Sequence, residues 1–130
     1  EISFSEQKQI VFPQVRNNTT FIKTDKTLLK RVLGNLIKNA LEASKKGETV
    51  TLGIEEFDTT MVFSVNNLTY IARDVQLQIF QRSFSTKGSG RGVGTYSVKL
   101  LTENYLNGEV AFISTPEFGT TFYITLPKEI

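Results

Sequence analysis

Residues 83–95 read Ser-Phe-Ser-Thr-Lys-Gly-Ser-Gly-Arg-Gly-Val-Gly-Thr, with glycines at alternate positions 88, 90, 92 and 94. A helical pattern follows at once through Val93, Val98, Leu100 and Leu101, and no Gly or Pro interrupts it between Gly94 and Gly108. A glycine-dense loop that feeds a helix N-terminus limits what the chain can build. Glycines let the backbone approach a ligand closely and adopt positive φ. The free N–H groups and the positive end of the helix dipole then face an anion. The charges agree: no Asp or Glu occurs between Val75 and Thr102, whereas Arg82, Lys87, Arg91 and Lys99 are cationic. The spacing matches neither the dinucleotide fingerprint nor the P-loop. A surface loop closing a hairpin is the plain alternative, and a phosphate site is the pointed one.

The rest of the chain narrows the chemistry. At 130 residues it is expected to form one domain, residues 1–130. A chain of this size buries roughly two thirds of its unfolded surface. Hydrophobics at 39% and charged residues at 22% are ordinary for a globular domain. With no Cys there is no disulfide or thiolate chemistry, which fits a reducing, cytoplasmic setting. With no His, the chain lacks the commonest general base and metal ligand, and cannot itself carry phosphohistidine. No signal peptide is visible at the start, and the abrupt beginning at Glu1 reads as a piece of a longer chain. A net charge of +2 is weak support for nucleic acid as a partner.

Residues 2–24 read as short extended segments, with Ile10-Val11-Phe12 and Thr20-Phe21-Ile22 split by Pro13 and Asn17-Asn18. Thr24 or Asp25 is the expected N-cap of a helix from Lys26 to Lys46. In that helix Leu29, Leu33, Leu36, Ile37, Ala40 and Leu41 share a face, and Gly47 is the expected stop. Strands are predicted over Thr49–Glu55 and Met61–Asn66, a short helix over Asp74–Gln81, and a helix from about Val93 to Tyr105. A hairpin of Glu109–Ser114 and Thr120–Leu126 closes the chain. This order predicts an α+β fold: a two-layer α/β sandwich with a mixed, mostly antiparallel sheet of about five strands and three helices on one face.

Within the long helix, Asn35, Asn39 and Glu42 stand at i, i+4 and i+7 and form one stripe, expected opposite the apolar face. Asn is a poor interior helix former, so two in one stripe suggest a purpose. An amide oxygen is a hard neutral donor suited to Mg²⁺, which keeps several waters. A solvated polar face is the bland reading of the same stripe.

At this point a resemblance becomes specific. Leu33-Gly34-Asn35-Leu36-Ile37-Lys38-Asn39-Ala40 resembles the asparagine box of sensor histidine kinases, in the ATPase superfamily shared with gyrase, HSP90 and MutL. Ile79-Phe80-Gln81-Arg82-Ser83-Phe84 resembles the phenylalanine box, Gly90-Arg91-Gly92-Val93-Gly94-Thr95 the second glycine box, and Gly119-Thr120-Thr121-Phe122 the terminal Gly-Thr element. All four occur in family order over about Asp25 to Pro127. The resemblance implies the Bergerat ATP-binding fold. It implies a catalytic domain that positions Mg-ATP for transfer to a histidine on a separate dimerisation domain, with a response regulator acting indirectly. It implies that Asn39 holds Mg²⁺, that Asn35 supports it as the second catalytic residue, and that Glu42, Asn67, Ile71, Phe80, Arg82, Phe84, Thr86, Lys87, Gly88, Gly90, Arg91, Gly92, Val93, Gly94, Thr95 and Thr120 surround ATP. Residues 72–91 would form a lid over it. Members that hydrolyse ATP carry Glu four residues before the metal-binding Asn; Asn35 stands there, and an amide cannot accept a proton from water. A parent protein anchored in a membrane is compatible with this reading, although the domain itself would be soluble.

The first glycine box departs from the family pattern Asp-x-Gly-x-Gly: this chain reads Val65-Asn66-Asn67-Leu68-Thr69-Tyr70-Ile71. Strand alternation puts Asn67 in phase with Phe63 and Val65, so Asn67 is the expected acceptor for the adenine amino group. Leu68 and Tyr70, in place of glycines, are expected to crowd the base. A second reading is therefore a domain of the same fold with weak or no nucleotide binding, serving as a scaffold or interaction module. A nucleic-acid module would rest on the cationic stretch alone; only Phe80, Phe84 and Tyr96 lie nearby and no nucleic-acid motif is present, so no nucleic-acid partner is expected.

Overall fold

A computed structural model of the chain describes residues 9–11, 23–80 and 93–129. The helix predicted after Asp25 is α1, Lys26–Ala43. Asp25 is its N-cap, with a carboxylate oxygen accepting from the Leu28 amide at 3.0 Å. Val32, Leu36, Ile37 and Ala40 carry α1 into the core. The helix stops three residues before the predicted end. Ser44 turns extended, its hydroxyl donates to the Ala40 carbonyl at 2.7 Å, and its amide donates to Leu41 O. Gly47, at φ +88°, serves the turn beyond rather than the helix end.

Strands β1 (Gln9–Val11), β2 (Thr49–Glu56), β3 (Thr60–Asn67), β4 (Glu109–Thr115) and β5 (Gly119–Pro127) form one sheet in the order β1-β2-β3-β5-β4. β1 runs parallel to β2, and the other pairings are antiparallel. The two-layer α+β architecture predicted from the element order is therefore present. In β3, Met61, Phe63, Val65 and Asn67 are buried, and Val62, Ser64 and Asn66 face away. The inward face meets α1 and α3 (Val93–Asn104), which pack on each other; Val98, Leu106, Ile124 and Leu126 are fully buried there.

The connection from β3 to α3 departs from the pattern. The helix expected over 74–81 is a single turn, α2 (Arg73–Gln76). After the Leu77 amide bonds Arg73 O, the Gln78 and Ile79 amides bond three residues back, to Val75 O and Gln76 O, so the coil tightens and ends. Among the described residues no helix is long and apolar enough to cross a membrane.

Candidate nucleotide site

The asparagine stripe of α1 does not lie opposite the apolar face. Asn35 and Asn39 are half-buried and Glu42 is exposed. Asn35 stands three residues after Val32, and Asn39 three after Leu36, so each occupies the ridge beside a core residue. The stripe borders the core. Border positions suit a ligand side chain, because packing limits its rotamers while its polar end stays within reach of solute.

The end of α1 shows what else the helix needs. The last four carbonyls of any helix lack partners within it. In α1 three of these, on Ala40, Leu41 and Ala43, are met by residues beyond the helix. Ala40 O accepts from Ser44 Oγ and, at 3.4 Å, from Asn67 Nδ2. Leu41 O accepts from the Ser44 amide at 3.2 Å, and Ala43 O accepts from Thr69 Oγ1 at 2.7 Å. Asn67 and Thr69, the last residue of β3 and the second beyond it, thus cap the asparagine helix across the fold.

Asn67 is 7% exposed and continues the inward side of β3. Its Nδ2 is turned to Ala40 O. Asn66 is on the other side of the sheet, where its Nδ2 meets Phe118 O at 3.1 Å, Thr120 O at 3.3 Å and Thr121 Oγ1 at 2.9 Å. The alternation argument therefore selected the inward residue. Leu68 and Tyr70 are exposed, at 51% and 43%.

Thr120 is buried and pairs in register with Asn67. Its hydroxyl is engaged at both ends. It donates to Thr69 O at 2.7 Å, so the Ser114 hydroxyl, also at 2.7 Å, is the donor to Thr120 Oγ1. Ser114 Oγ in turn accepts the Ile71 amide at 2.8 Å, and Gln76 Nε2 donates to Ile71 O at 2.7 Å. This relay pins residues 69–71 onto β4 and β5. Gly119 makes the approach possible. Its φ is +76°, and a Cβ there would land on Asn67 O and on the backbone of Leu68.

Ile71 and Phe80 are half-buried. Thr95, in the first turn of α3, donates its hydroxyl to Ile79 O at 2.7 Å. Val93 and Gly94 belong to α3 by their backbone. Arg82, Phe84, Thr86, Lys87, Gly88, Gly90, Arg91 and Gly92, with most of the expected lid, lie outside the described residues. Ser114 and Thr69 escaped the sequence reading. Ser114 left one signal: it is a polar residue in phase with Val110 and Phe112 on the inward side of its strand. Thr69, on an irregular segment, left none.

Among the described residues no group of three or more His, Cys, Asp or Glu is placed to hold a metal. An all-protein cage is thus not what these residues offer. A half-buried amide oxygen fits Mg²⁺ that arrives on a polyphosphate and keeps its remaining ligands from phosphate and water.

The family model for histidine kinase-, DNA gyrase B- and HSP90-like ATPases matches residues 24–130. Sensor protein DegM of Bacillus sp. (strain B21-2) is 35% identical over 102 residues, 78% of this chain and 27% of that protein. Sensor histidine kinase DcuS of Escherichia coli (strain K12) is 40% identical over 98 residues, 73% of this chain and 18% of that protein. The catalytic domain of histidine kinase ThkA superposes with a TM-score of 0.84 at 27% identity, covering 95% of this chain and 81% of that one. A second ThkA structure, in complex with response regulator protein TrrA, gives 0.75 at 26% identity over 92% of this chain and 34% of that one. The chain spans between 10% and 27% of the length of the curated relatives it matches.

Proposed function

The chain belongs to the histidine kinase-, DNA gyrase B- and HSP90-like ATPase family, and from that membership we propose that it positions Mg-ATP for phosphoryl transfer to a histidine on a separate domain. It is an ATP-binding domain of the sensor histidine kinase type. One observation carries the proposal furthest: the Asn67–Ala40 hydrogen bond brings the inward end of β3 against α1 one residue from Asn39. The residue this reading assigns to the base and the residue it assigns to the metal are thereby fixed on one frame.

The roles follow from chemistry. With Nδ2 given to Ala40, Asn67 presents Oδ1, an acceptor for the adenine amino group. Asn39, supported by Asn35, supplies the amide oxygen for Mg²⁺. The ion would neutralise charge on the phosphates. The first amides of α3 point out of its N-terminus along the helix axis, the arrangement suited to phosphate. Arg82, Lys87 and Arg91 are the cations that sequence assigns to the same phosphates. Transfer breaks the bond from the γ-phosphorus to the β–γ bridging oxygen, releasing ADP, and forms a phosphorus–nitrogen bond on imidazole. It needs positioning and charge neutralisation more than acid–base groups. The chain has no His, so the acceptor comes from elsewhere. Asn35, where a water-activating Glu would stand, disfavours hydrolysis.

In this reading residues 1–130 form one catalytic domain of a longer, cytoplasmic-facing kinase, whose phosphorylated histidine then supplies a response regulator. Calorimetric titration with Mg-ATP tests the site. Asn39→Ala is expected to weaken binding on the order of 10–100-fold, with the melting temperature nearly unchanged. Equal affinities for variant and wild type would remove the metal role. Phosphotransfer is tested on the full-length parent chain, where acid-labile label on histidine is expected; rapid phosphate release by this domain alone would contradict the assignment.

A further inference from the structure

Phe112 and Phe122 are cross-strand partners on β4 and β5, stacked with centroids 5.3 Å apart and planes at 26°. Phe80, the last described residue of the β3–α3 connection, sets its ring edge-on to both. The centroids are 5.7 and 6.0 Å away and the planes lie at 71° and 83°. Edge-to-face contact sets the positive rim of one ring on the negative face of another, so it has a preferred geometry that aliphatic filling lacks. The Lys99 ammonium lies 5.5 Å from the Phe80 centroid and is paired with Glu103 at 2.7 Å. One residue earlier, Ile79 O accepts the Thr95 hydroxyl. Thr95 and Lys99 are one turn apart on α3, so the helix grips this point by backbone and by ring.

We propose that Phe112 and Phe122 are positioning residues of the nucleotide site. They fix Phe80, and through Phe80 and Ile79 they fix the N-terminal turn of α3, whose amides the functional reading above, on which this inference rests, assigns to phosphate. Neither ring has to touch nucleotide to do so, and Phe112 stands on the outermost strand. Simple core filling would require neither the Thr95 hydroxyl bond nor the Lys99 ammonium. It would also act on overall stability without singling out one end of α3.

The test compares Phe112→Ala with Ile113→Ala, the neighbouring residue, 59% exposed on the opposite side of β4. Two quantities are measured well below the melting temperature: amide exchange at Ser97–Lys99 in the free protein, and Mg-ATP affinity by calorimetry. Phe112→Ala is expected to speed that exchange about tenfold relative to the middle of α1, and to weaken Mg-ATP about tenfold. Ile113→Ala should leave both within about twofold. Should Phe112→Ala fail to fold, Phe112→Leu restores bulk without the ring and is expected to show both effects at reduced size. A variant that loses stability yet keeps wild-type exchange at Ser97–Lys99 and wild-type affinity overturns the inference while the functional reading stands. A wild-type domain that binds no Mg-ATP overturns both.

Discussion

Helix α1 and the connection formed by residues 68–80 meet at Ala43, and they are held by different means. α1 is seated by area. Val32, Leu36, Ile37 and Ala40 recur at helical spacing and are buried against the sheet and α3. The connection has one helical turn, no periodic apolar pattern, and exposed Leu68, Tyr70 and Leu77. It is seated by points: Thr69, Ile71, Gln76, Ile79 and Phe80 each make one to three directed contacts. The difference has a mechanical consequence. Burial is shared over many atoms, so a polar residue bordering α1's buried face can change without loosening the helix. Directed contacts are few, and each depends on a single donor or a single close approach. Asn39 should therefore be separable from stability, and the residues of the connection should not.

The sharpest way to break that contrast is Gly119→Ala. The added methyl would meet Asn67 O and Leu68 backbone at a φ that L-residues avoid. Both the register of β5 on β3 and the approach of Thr120 to Thr69 depend on that contact. The expected loss is roughly 2–4 kcal/mol in denaturant unfolding, from backbone strain and displaced contacts together. A loss below about 0.5 kcal/mol would mean that the connection tolerates displacement and that the contrast is wrong.

The same difference explains what could be read from sequence. Periodic elements could be. The alternation of β3 and the closing hairpin follow from spacing, because burial repeats with the element; on α1 the spacing selects Leu36, Ile37 and Ala40 but also the only half-buried Leu29, Leu33 and Leu41, and it passes over the fully buried Val32. Asn67 was accessible for the same reason, since the period of two continues from Phe63 and Val65 to the strand's end. Sequence puts the end of α1 too late because Gly47 is a loud signal and Ser44 a quiet one. The helix ends where the Ser44 hydroxyl finds Ala40 O, a contact with no periodicity. The asparagine stripe reads as lying opposite the core because polarity suggests exposure, whereas Asn35 and Asn39 border the buried face. The apolar residues Val75, Leu77, Ile79 and Phe80 suggest a helix over 74–81. Yet Ile79 O is held by Thr95 and the Phe80 ring by β4 and β5, partners no local pattern announces.

Ser114→Ala probes the connection at a smaller scale. It removes the acceptor of the Ile71 amide and the donor to Thr120 at once. An expected cost of about 1–2 kcal/mol follows from leaving a part-buried amide unpaired. Mg-ATP affinity should fall with it, because the 69–71 segment that Ser114 pins adjoins Asn67. Thermal unfolding and calorimetry on the same sample separate this from Asn39→Ala, which should weaken binding with stability intact. If Ser114→Ala alters neither quantity, the relay is incidental and the connection is seated by the rings alone.

The smallest effect on affinity, and the finest test, is Asn67→Asp. Judged by the family pattern alone, a carboxylate should bind the adenine amino group better than an amide, by about 1 kcal/mol for the added charge. The structure supplies an opposing term. Asn67 donates Nδ2 to Ala40 O at the C-terminal end of α1, where the helix dipole is negative. A carboxylate there loses the donor and sets a negative oxygen against a carbonyl, at a position only 7% exposed. Two terms of similar size oppose each other, so Mg-ATP affinity should change by less than about threefold. Stability should fall by about 1–2 kcal/mol at neutral pH. The pH dependence separates the terms. Burial and the α1 dipole disfavour the ionised form, so the introduced acid should titrate above the ordinary aspartate value of about 3.9 when folded. Protonated, it can donate to Ala40 O again. A raised folded value means stability present at low pH and lost as pH rises. The deficit relative to wild type should therefore be small near the ordinary aspartate value and complete at neutrality. Melting-temperature differences between the two proteins across that range measure it directly. Tighter Mg-ATP binding by fivefold or so, with no pH-dependent deficit, would show that the Ala40 contact is idle and that Asn67 serves the base alone.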